Sequence, residues 1–174
     1  QQPQPLWKIG AAHDGWIRQI ALSPDGQTLA SCSVEQKIHL WSADDGKPLD
    51  FADTVTYRGM MFTGVPNLVW VFGYFRASWT LRVDLVADFV CRLLTHMKET
   101  GARKVTPQLR PEDHNMPLLP WIDPENFNPG YLMRGMHLLP KRGEKPEWQH
   151  NQDYWAEKDE FPAIDLKDKA FVYG

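Results

Sequence analysis

The chain has 174 residues, enough for one ordinary domain or for parts of two. Its formal net charge is −3, and acidic and basic residues are mixed along it, so it lacks the basic excess that binding to a phosphate backbone requires. Its two cysteines, Cys32 and Cys91, form no C-x-x-C pair, which argues against a disulfide framework and a structural zinc site. We therefore expect no nucleic-acid partner and a reducing, cytoplasmic setting.

Several other classes of site and segment lack their sequence signals. The opening QQPQP has neither the basic nor the apolar region of a signal peptide, and the most apolar stretch, residues 59–75, is too short and too interrupted for a membrane span. No G-x-S-x-G motif is present. The histidines are scattered, without the spacing of metal ligands: His13, His39, His96, His114, His137 and His150. We expect no metal site and name no catalytic residue.

Residues 7–49 alternate short β-type runs with turn signals. The runs IRQIAL, TLASCSV and IHLW are separated by SPDGQ and followed by SADDGK. Proline fixes φ and glycine adopts a positive φ in tight turns, so the Pro-Asp-Gly and Asp-Gly steps mark reversals of the chain. This pattern predicts an antiparallel β-meander.

Residues 55–97 have a different pattern, a strand followed by a helix. The run NLVWVFG, residues 67–73, is continuously apolar, as in a strand buried on both faces of a parallel sheet. From Trp79 onward apolar residues recur at helical spacing, and Ser78 and Gly101 are suited to cap the two ends. On the polar side, Asp88 and Arg92 are spaced for an ion pair.

Residues 102–174 are rich in proline, and aromatic residues lie between the prolines. Proline at this density prevents long helices and central strands, whereas exposed aromatic side chains are costly. We predict an irregular tail that wraps against a larger body, with one short helix at residues 130–138.

The stretch AHDGWIRQIALSPDGQTLASCSVEQKIHLW resembles a single WD repeat, covering residues about 7–44. In that family a histidine, a serine or threonine, an aspartate and a tryptophan form a hydrogen-bonded link across the blade. Here His13, Ser33 and Trp41 match, and Glu35 occupies the aspartate position. The resemblance implies a blade in residues 1–44 that could contact another protein. A lone blade cannot close a propeller, so we favour a leftover β-meander over a working scaffold.

From residue 45 to 174 the chain resembles the C-terminal part of flavin-dependent monooxygenases of the Baeyer-Villiger and ethionamide-activating kind. The stretches that carry the likeness are TYRGMMFTGVPNLVWVFGY, SWTLRVDLVADFVCRLL, PWIDPENFNPGYLMRGMHLLPKRG and EWQHNQDYW. The resemblance implies an α/β fragment. Residues 45–101 would be the strand-helix end of a Rossmann-like FAD-binding domain, and residues 102–174 a Pro/Trp-rich wrapping tail. The join to the blade falls between Ser42 and Leu49.

The same resemblance implies that the start of the helix approaches the flavin. A helix start carries free N–H groups and a partial positive charge, which favour an anion such as the pyrimidine edge of reduced flavin. The flavin-side residues implied are Ser78, Trp79, Thr80 and Leu81. Read without the resemblance, these residues serve equally well as a cap and the first core turn of a helix.

The family also implies FAD and NADPH, with oxygen insertion or S/N-oxygenation through a flavin peroxide. No G-x-G-x-x-G motif occurs in the chain, so neither dinucleotide has a pyrophosphate loop here. We therefore expect N-terminal FAD and NADPH domains to be encoded elsewhere, and the isolated chain to retain neither cofactor and to be inactive. The alternatives are a WD-type interaction fragment and a catalytically silent chimera.

Overall fold

The computed structural model describes residues 4–174, and the chain divides between Asp50 and Phe51 into two units. The first unit consists of short strands, and the second combines helices with short strands. The predicted mixture of α and β structure, with an antiparallel sheet at the N-terminal end, is confirmed. No helix within residues 4–174 has the length and apolar character needed to cross a membrane.

The first unit is a three-stranded antiparallel sheet with its strands in sequence order. Its strands are β1, Ile17–Leu22; β2, Thr28–Ser33; and β3, Ile38–Ser42. Gly26 and Gly46 adopt φ values of +72° and +71° in the turns, which an L side chain would resist. The predicted meander is therefore confirmed, turns included.

Apolar side chains of this sheet are left uncovered. Every residue of β1 is exposed, and Trp16 and Ile38 expose 86% and 71% of their surface. Burial in the sheet is concentrated at Ser31, Ser33 and Trp41. Such exposure is expected of a blade whose faces are normally covered by neighbouring blades.

The second unit is built around one long helix, α1, Trp79–Thr100. The unit also contains three antiparallel strand pairs: β4 (Thr56–Tyr57) with β5 (Met61–Phe62), β6 (Val105–Pro107) with β9 (Phe171–Tyr173), and β7 (Leu118–Pro120) with β8 (Lys141–Gly143). Two short helices follow, α2 (Gly130–Gly135) and α3 (Tyr154–Glu160). Single 3₁₀ turns lie at Phe51–Asp53, Pro111–Asp113, Met136–Leu138 and Pro146–Trp148. Helix α2 and the turn after it confirm the predicted short helix at 130–138.

One stripe of α1 and the tail form a common core. From the helix the core takes Val86, Phe89, Leu93 and Met97. From the tail it takes Val105, Trp148, Phe161, Ile164, Ala170 and Phe171. The tail thus supplies large apolar surface against α1, which explains why a proline-rich segment can be ordered without long regular elements.

Both ends of α1 were predicted to be capped, and the outcomes differ. Gly101 ends the helix with φ of +74° and donates its N–H to the carbonyl of Lys98, as predicted. Ser78 occupies the N-cap position, but its side chain caps no backbone N–H. Its hydroxyl bonds instead to the hydroxyl of Thr80 at 2.7 Å. The predicted side-chain cap is wrong, because the hydroxyl of Thr80 competes with the backbone N–H groups for the Ser78 oxygen.

The predicted pair between Asp88 and Arg92 is also wrong. Arg92 donates to the carbonyls of Phe161 and Ile164, at 2.8 and 2.7 Å. Its guanidinium thereby satisfies two acceptors at the end of the turn that follows α3. A buried carbonyl left without a donor would cost more than a surface ion pair contributes.

Residues 67–73 form no strand, in contrast to the prediction. Between Leu68 and Phe72, only Trp70 donates its backbone N–H to another described residue, the carbonyl of Met60 at 2.9 Å. A strand needs a neighbouring strand along its length, and the named strands of residues 4–174 all pair elsewhere. The apolar run therefore lies against α1 without a ladder.

Candidate functional site

The four residues predicted to face the flavin lie together at the start of α1. Ser78, Trp79 and Thr80 are exposed, and Leu81 is half-buried. No acidic residue occupies the first turn of the helix. Trp79 exposes 51% of its surface, while its indole lies so close to Gly73 that no side chain would fit there. The helix start is thus open to solvent, with an aromatic ring beside it.

Immediately below this surface lies an arginine that the sequence reading missed. Arg82 is fully buried and donates four hydrogen bonds. Two go to the carboxylate of Glu157 in α3, at 2.9 and 3.0 Å. The others go to the carbonyls of Phe72 and Arg58, at 2.9 and 2.6 Å. The first turn of α1 is thereby tied to three other segments.

Glu157 and Tyr74 complete this buried cluster. The Tyr74 hydroxyl donates to the Glu157 carboxylate at 2.5 Å. Burial raises the pKa of Glu157, and Arg82 and the Tyr74 hydroxyl act against that rise. Burial and the adjacent carboxylate both raise the pKa of Tyr74, so the phenol stays protonated. The cluster is a fixed arrangement of charges behind the helix start.

A spacing signal for Arg82 was present in the sequence. Position 82 continues the buried stripe of α1 through Val86, Phe89 and Leu93. A charged residue in line with an apolar stripe indicates a buried ion pair. Its partner Glu157 is 75 residues away along the chain, and no local pattern points to it.

One flank of the buried stripe of α1 borders an open apolar groove, which we call the α1 groove. It has a volume of about 560 Å³, and Val69, Val71, Val83, Val90 and Leu94 are among the residues that line it. Leu94 exposes 59% of its surface. The helix therefore has apolar residues beside its buried stripe, Val83 and Leu94 among them, that the described residues leave exposed.

In the first unit the predicted link across the blade exists, with one correction. The His13 ring bonds to Ser31 Oγ at 2.7 Å, and the Trp41 indole N–H donates to the same oxygen at 2.8 Å. Ser33, predicted for this role, donates to Glu35 at 2.8 Å. The side chains of Ser31 and Ser33 point to the same face of β2. Only Ser31, which pairs with His39 of β3, lies within hydrogen-bonding distance of both the His13 and the Trp41 rings.

Glu35 occupies the predicted aspartate position despite its longer side chain. Its carboxylate lies 2.7 Å from His13 Nδ1. The hydrogen bonds from Ser33 and His13 lower the pKa of Glu35 to about 2. The extra methylene of Glu35, compared with aspartate, is therefore accommodated. The ionised carboxylate accepts the hydrogen bonds that complete the link across the blade.

Comparisons with known proteins find relatives for both the WD-like and the monooxygenase-like segments. The family model described as WD domain, G-beta repeat matches residues 4–42. The chain is 45% identical over 111 residues to the FAD-containing monooxygenase EthA of Mycolicibacterium smegmatis, covering 64% of this chain and 22% of that protein. For EthA of Mycobacterium tuberculosis the identity is 41% over 110 residues, covering 63% and 22%. For the probable FAD-binding monooxygenase AlmA of Acinetobacter sp it is 34% over 130 residues, covering 75% and 24%. No solved structure matches the chain.

Both resemblances read from the sequence are therefore confirmed. The chain carries a WD repeat together with a segment homologous to part of FAD-containing monooxygenases. It spans about a fifth of the length of the EthA proteins that it matches.

Proposed function

We propose that residues 45–174 are the C-terminal part of an FAD- and NADPH-dependent monooxygenase, inactive as an isolated chain. The observation that carries this proposal is the 45% identity over 111 residues to a protein named an FAD-containing monooxygenase. Local resemblance of that length requires shared ancestry rather than shared composition. Its reaction is the insertion of oxygen next to a carbonyl or the oxygenation of a sulfur or nitrogen centre.

The open faces of the second unit support a Rossmann-like role for residues 67–100. Residues 68–72 have few backbone partners, and the α1 groove exposes Val83 and Leu94 beside them. A strand that pairs with residues 68–72, in a sheet that covers this groove, would satisfy both features at once. We assign that sheet to the rest of the FAD-binding domain, encoded outside these residues.

The start of α1 suits one edge of a flavin. When bound, the flavin supplies the activation of molecular oxygen. The backbone N–H groups of the exposed residues Ser78, Trp79 and Thr80 would hold the anionic pyrimidine edge of the ring, because the helix dipole favours negative charge there. Leu81 and the Trp79 indole would exclude water from that edge. Arg82 holds the turn in place by its bonds to Phe72, Arg58 and Glu157.

The chain by itself offers no cradle for a whole dinucleotide. No G-x-G-x-x-G motif occurs in its 174 residues, so the pyrophosphates of FAD and NADPH have no glycine loop. The isolated chain thus retains neither cofactor. Cys32 and Cys91 are free thiols, which fits a reducing, cytoplasmic setting.

The WD repeat supports a second candidate, a protein-interaction fragment or a catalytically silent chimera. The observation in its favour is the uncovered apolar surface of β1 together with the match at residues 4–42. A pull-down tests this candidate. It would be favoured if a partner protein binds only when residues 7–41 are present and still binds after residues 50–174 are deleted.

A segment exchange tests the first candidate. Residues 51–174 replace the homologous segment of the Mycolicibacterium smegmatis relative, and the purified hybrid is assayed for bound flavin by its visible spectrum. We expect stoichiometric FAD in the hybrid and none in the 174-residue chain. A hybrid that folds but carries no flavin would contradict the proposal, as would a flavin-coloured preparation of the isolated chain.

A further inference from the structure

A cleft of about 620 Å³ lies beside the aromatic residues that precede α1. Phe75 and Phe127 are stacked on its wall, with ring centroids 4.0 Å apart and an interplanar angle of 16°. Trp121, His150 and Gln152 also line the cleft. Its volume is within the range of pockets that bind small molecules, and its lining combines these rings with charged side chains such as Arg76, Arg142 and Glu144.

His150 lies at this wall between two hydrogen-bond donors. The Trp121 indole N–H, which can only donate, points at His150 Nδ1 at 3.1 Å. The proton of the neutral imidazole is therefore on Nε2. The side-chain nitrogen of Gln152 lies 2.9 Å from that Nε2. The Gln152 amide is oriented by its oxygen, which accepts the backbone N–H of Phe75 at 2.7 Å.

The Nε2–H group of His150 thus faces the side-chain NH₂ group of Gln152, and both are hydrogen-bond donors. Turning the amide would place its nitrogen against the Phe75 N–H, and moving the imidazole proton to Nδ1 would place it against the Trp121 N–H. Each arrangement leaves one pair of donors facing each other. With the proton on Nε2, no acceptor within residues 4–174 lies against it, although His150 is only 8% exposed.

The position of Gly59 limits movement of the histidine ring on one side. Gly59 lies behind it, so close that a side-chain carbon at that position would meet imidazole Cδ2. Burial lowers the pKa of His150 well below its ordinary value, and the cations Arg82 and Arg142 lower it further. The ring therefore stays neutral. Gln152 is exposed, so the conflict can be relieved from the cleft side.

We propose that the cleft binds a flat aromatic ligand that carries a hydrogen-bond acceptor. The acceptor takes the place of the Gln152 amide at His150 Nε2–H, and the rings of the ligand lie against Phe75, Phe127 and Trp121. A ring nitrogen or a carbonyl oxygen would serve, because each has a lone pair directed outward and no proton. All the residues involved belong to the second unit, and binding requires no flavin.

Quinoline and naphthalene form a matched pair of probes, since the two have the same shape and only quinoline has an acceptor. Binding to the 174-residue chain is measured by saturation-transfer NMR at neutral pH, with the Trp121 indole N–H followed on the protein side. We expect quinoline to bind at least about tenfold more tightly, the value of one hydrogen bond to a buried donor. Equal binding of the two probes, or no binding of quinoline, would overturn the proposal.

A substitution that supplies the acceptor from the chain gives an independent test. In Gln152→Glu the carboxylate accepts from both His150 Nε2–H and the Phe75 N–H, so we expect a higher melting temperature and at least a tenfold loss of quinoline affinity. The matched control Gln108→Glu adds the same charge at an exposed position outside the cleft, and should change neither quantity. A Gln152→Glu chain that is no more stable and binds quinoline as before would refute the donor conflict.

Discussion

Replacing Arg82 by methionine tests the buried cluster behind the start of α1. The substitution keeps the aliphatic volume but removes four hydrogen bonds and leaves Glu157 without a cation. Both side chains of the pair are almost fully buried, with 0% and 2% exposed. Loss of one partner from such a pair costs about 3–5 kcal/mol, chiefly because the other charge stays buried. Two carbonyls, of Phe72 and Arg58, also lose their donor.

Urea unfolding followed by far-ultraviolet circular dichroism measures this cost, because α1 dominates the helical signal. We expect Arg82→Met to lower the free energy of unfolding by about 4 kcal/mol, a large share of the 5–15 kcal/mol typical of a domain. The double variant Arg82→Met/Glu157→Leu also removes the unpaired carboxylate. Its loss of unfolding free energy should therefore be at least about 2 kcal/mol smaller than the sum of the losses in the two single variants. The control Arg103→Met, at an exposed site, should stay within about 0.5 kcal/mol. A loss below about 1 kcal/mol for Arg82→Met would refute the reasoning.

Three further predictions concern single positions. Ser31→Ala should cost about 1–2 kcal/mol, because it leaves His13 and Trp41 without their shared partner, and thermal unfolding should show the loss. Gly101→Ala should cost about 1 kcal/mol in the same assay, since alanine resists the left-handed C-cap conformation. The pKa of His150 is lower in the folded chain than in the unfolded chain, so its contribution to stability is complete above about pH 6.5 and is lost as the pH falls from there toward the folded value. Urea midpoints between about pH 7 and pH 5 should therefore fall, and a His150→Gln chain should have a flatter profile.

Features encoded by neighbouring residues could be predicted from the sequence. The end of α1 at Gly101 and the turns at Gly26 and Gly46 follow from residues with a special conformational range. The amphipathic period of α1 likewise needs no distant partner. These predictions depend only on local chemistry, and the structure confirms them.

Features that depend on partners far along the chain could not be predicted. The position of Arg82 in the apolar stripe of α1 indicates a buried charge, but no local pattern identifies Glu157 as its partner. The choice between Ser31 and Ser33 depends on the register of β2 against β3, which places Ser31 opposite His39. The apolar run at 67–73 predicts a strand in any sequence reading, yet a strand forms only where another strand pairs with it.

The proposed flavin site places the Trp79 indole beside the flavin ring. In the hybrid monooxygenase that carries residues 51–174, the flavin fluorescence lifetime reports this directly, because an adjacent indole quenches an excited flavin by electron transfer. We expect a clearly longer lifetime in the Trp79→Leu hybrid. The Trp155→Leu hybrid should show no change, because the indole removed there is likewise exposed but lies on α3. Equal lifetimes with and without the Trp79 indole would contradict the proposed flavin site.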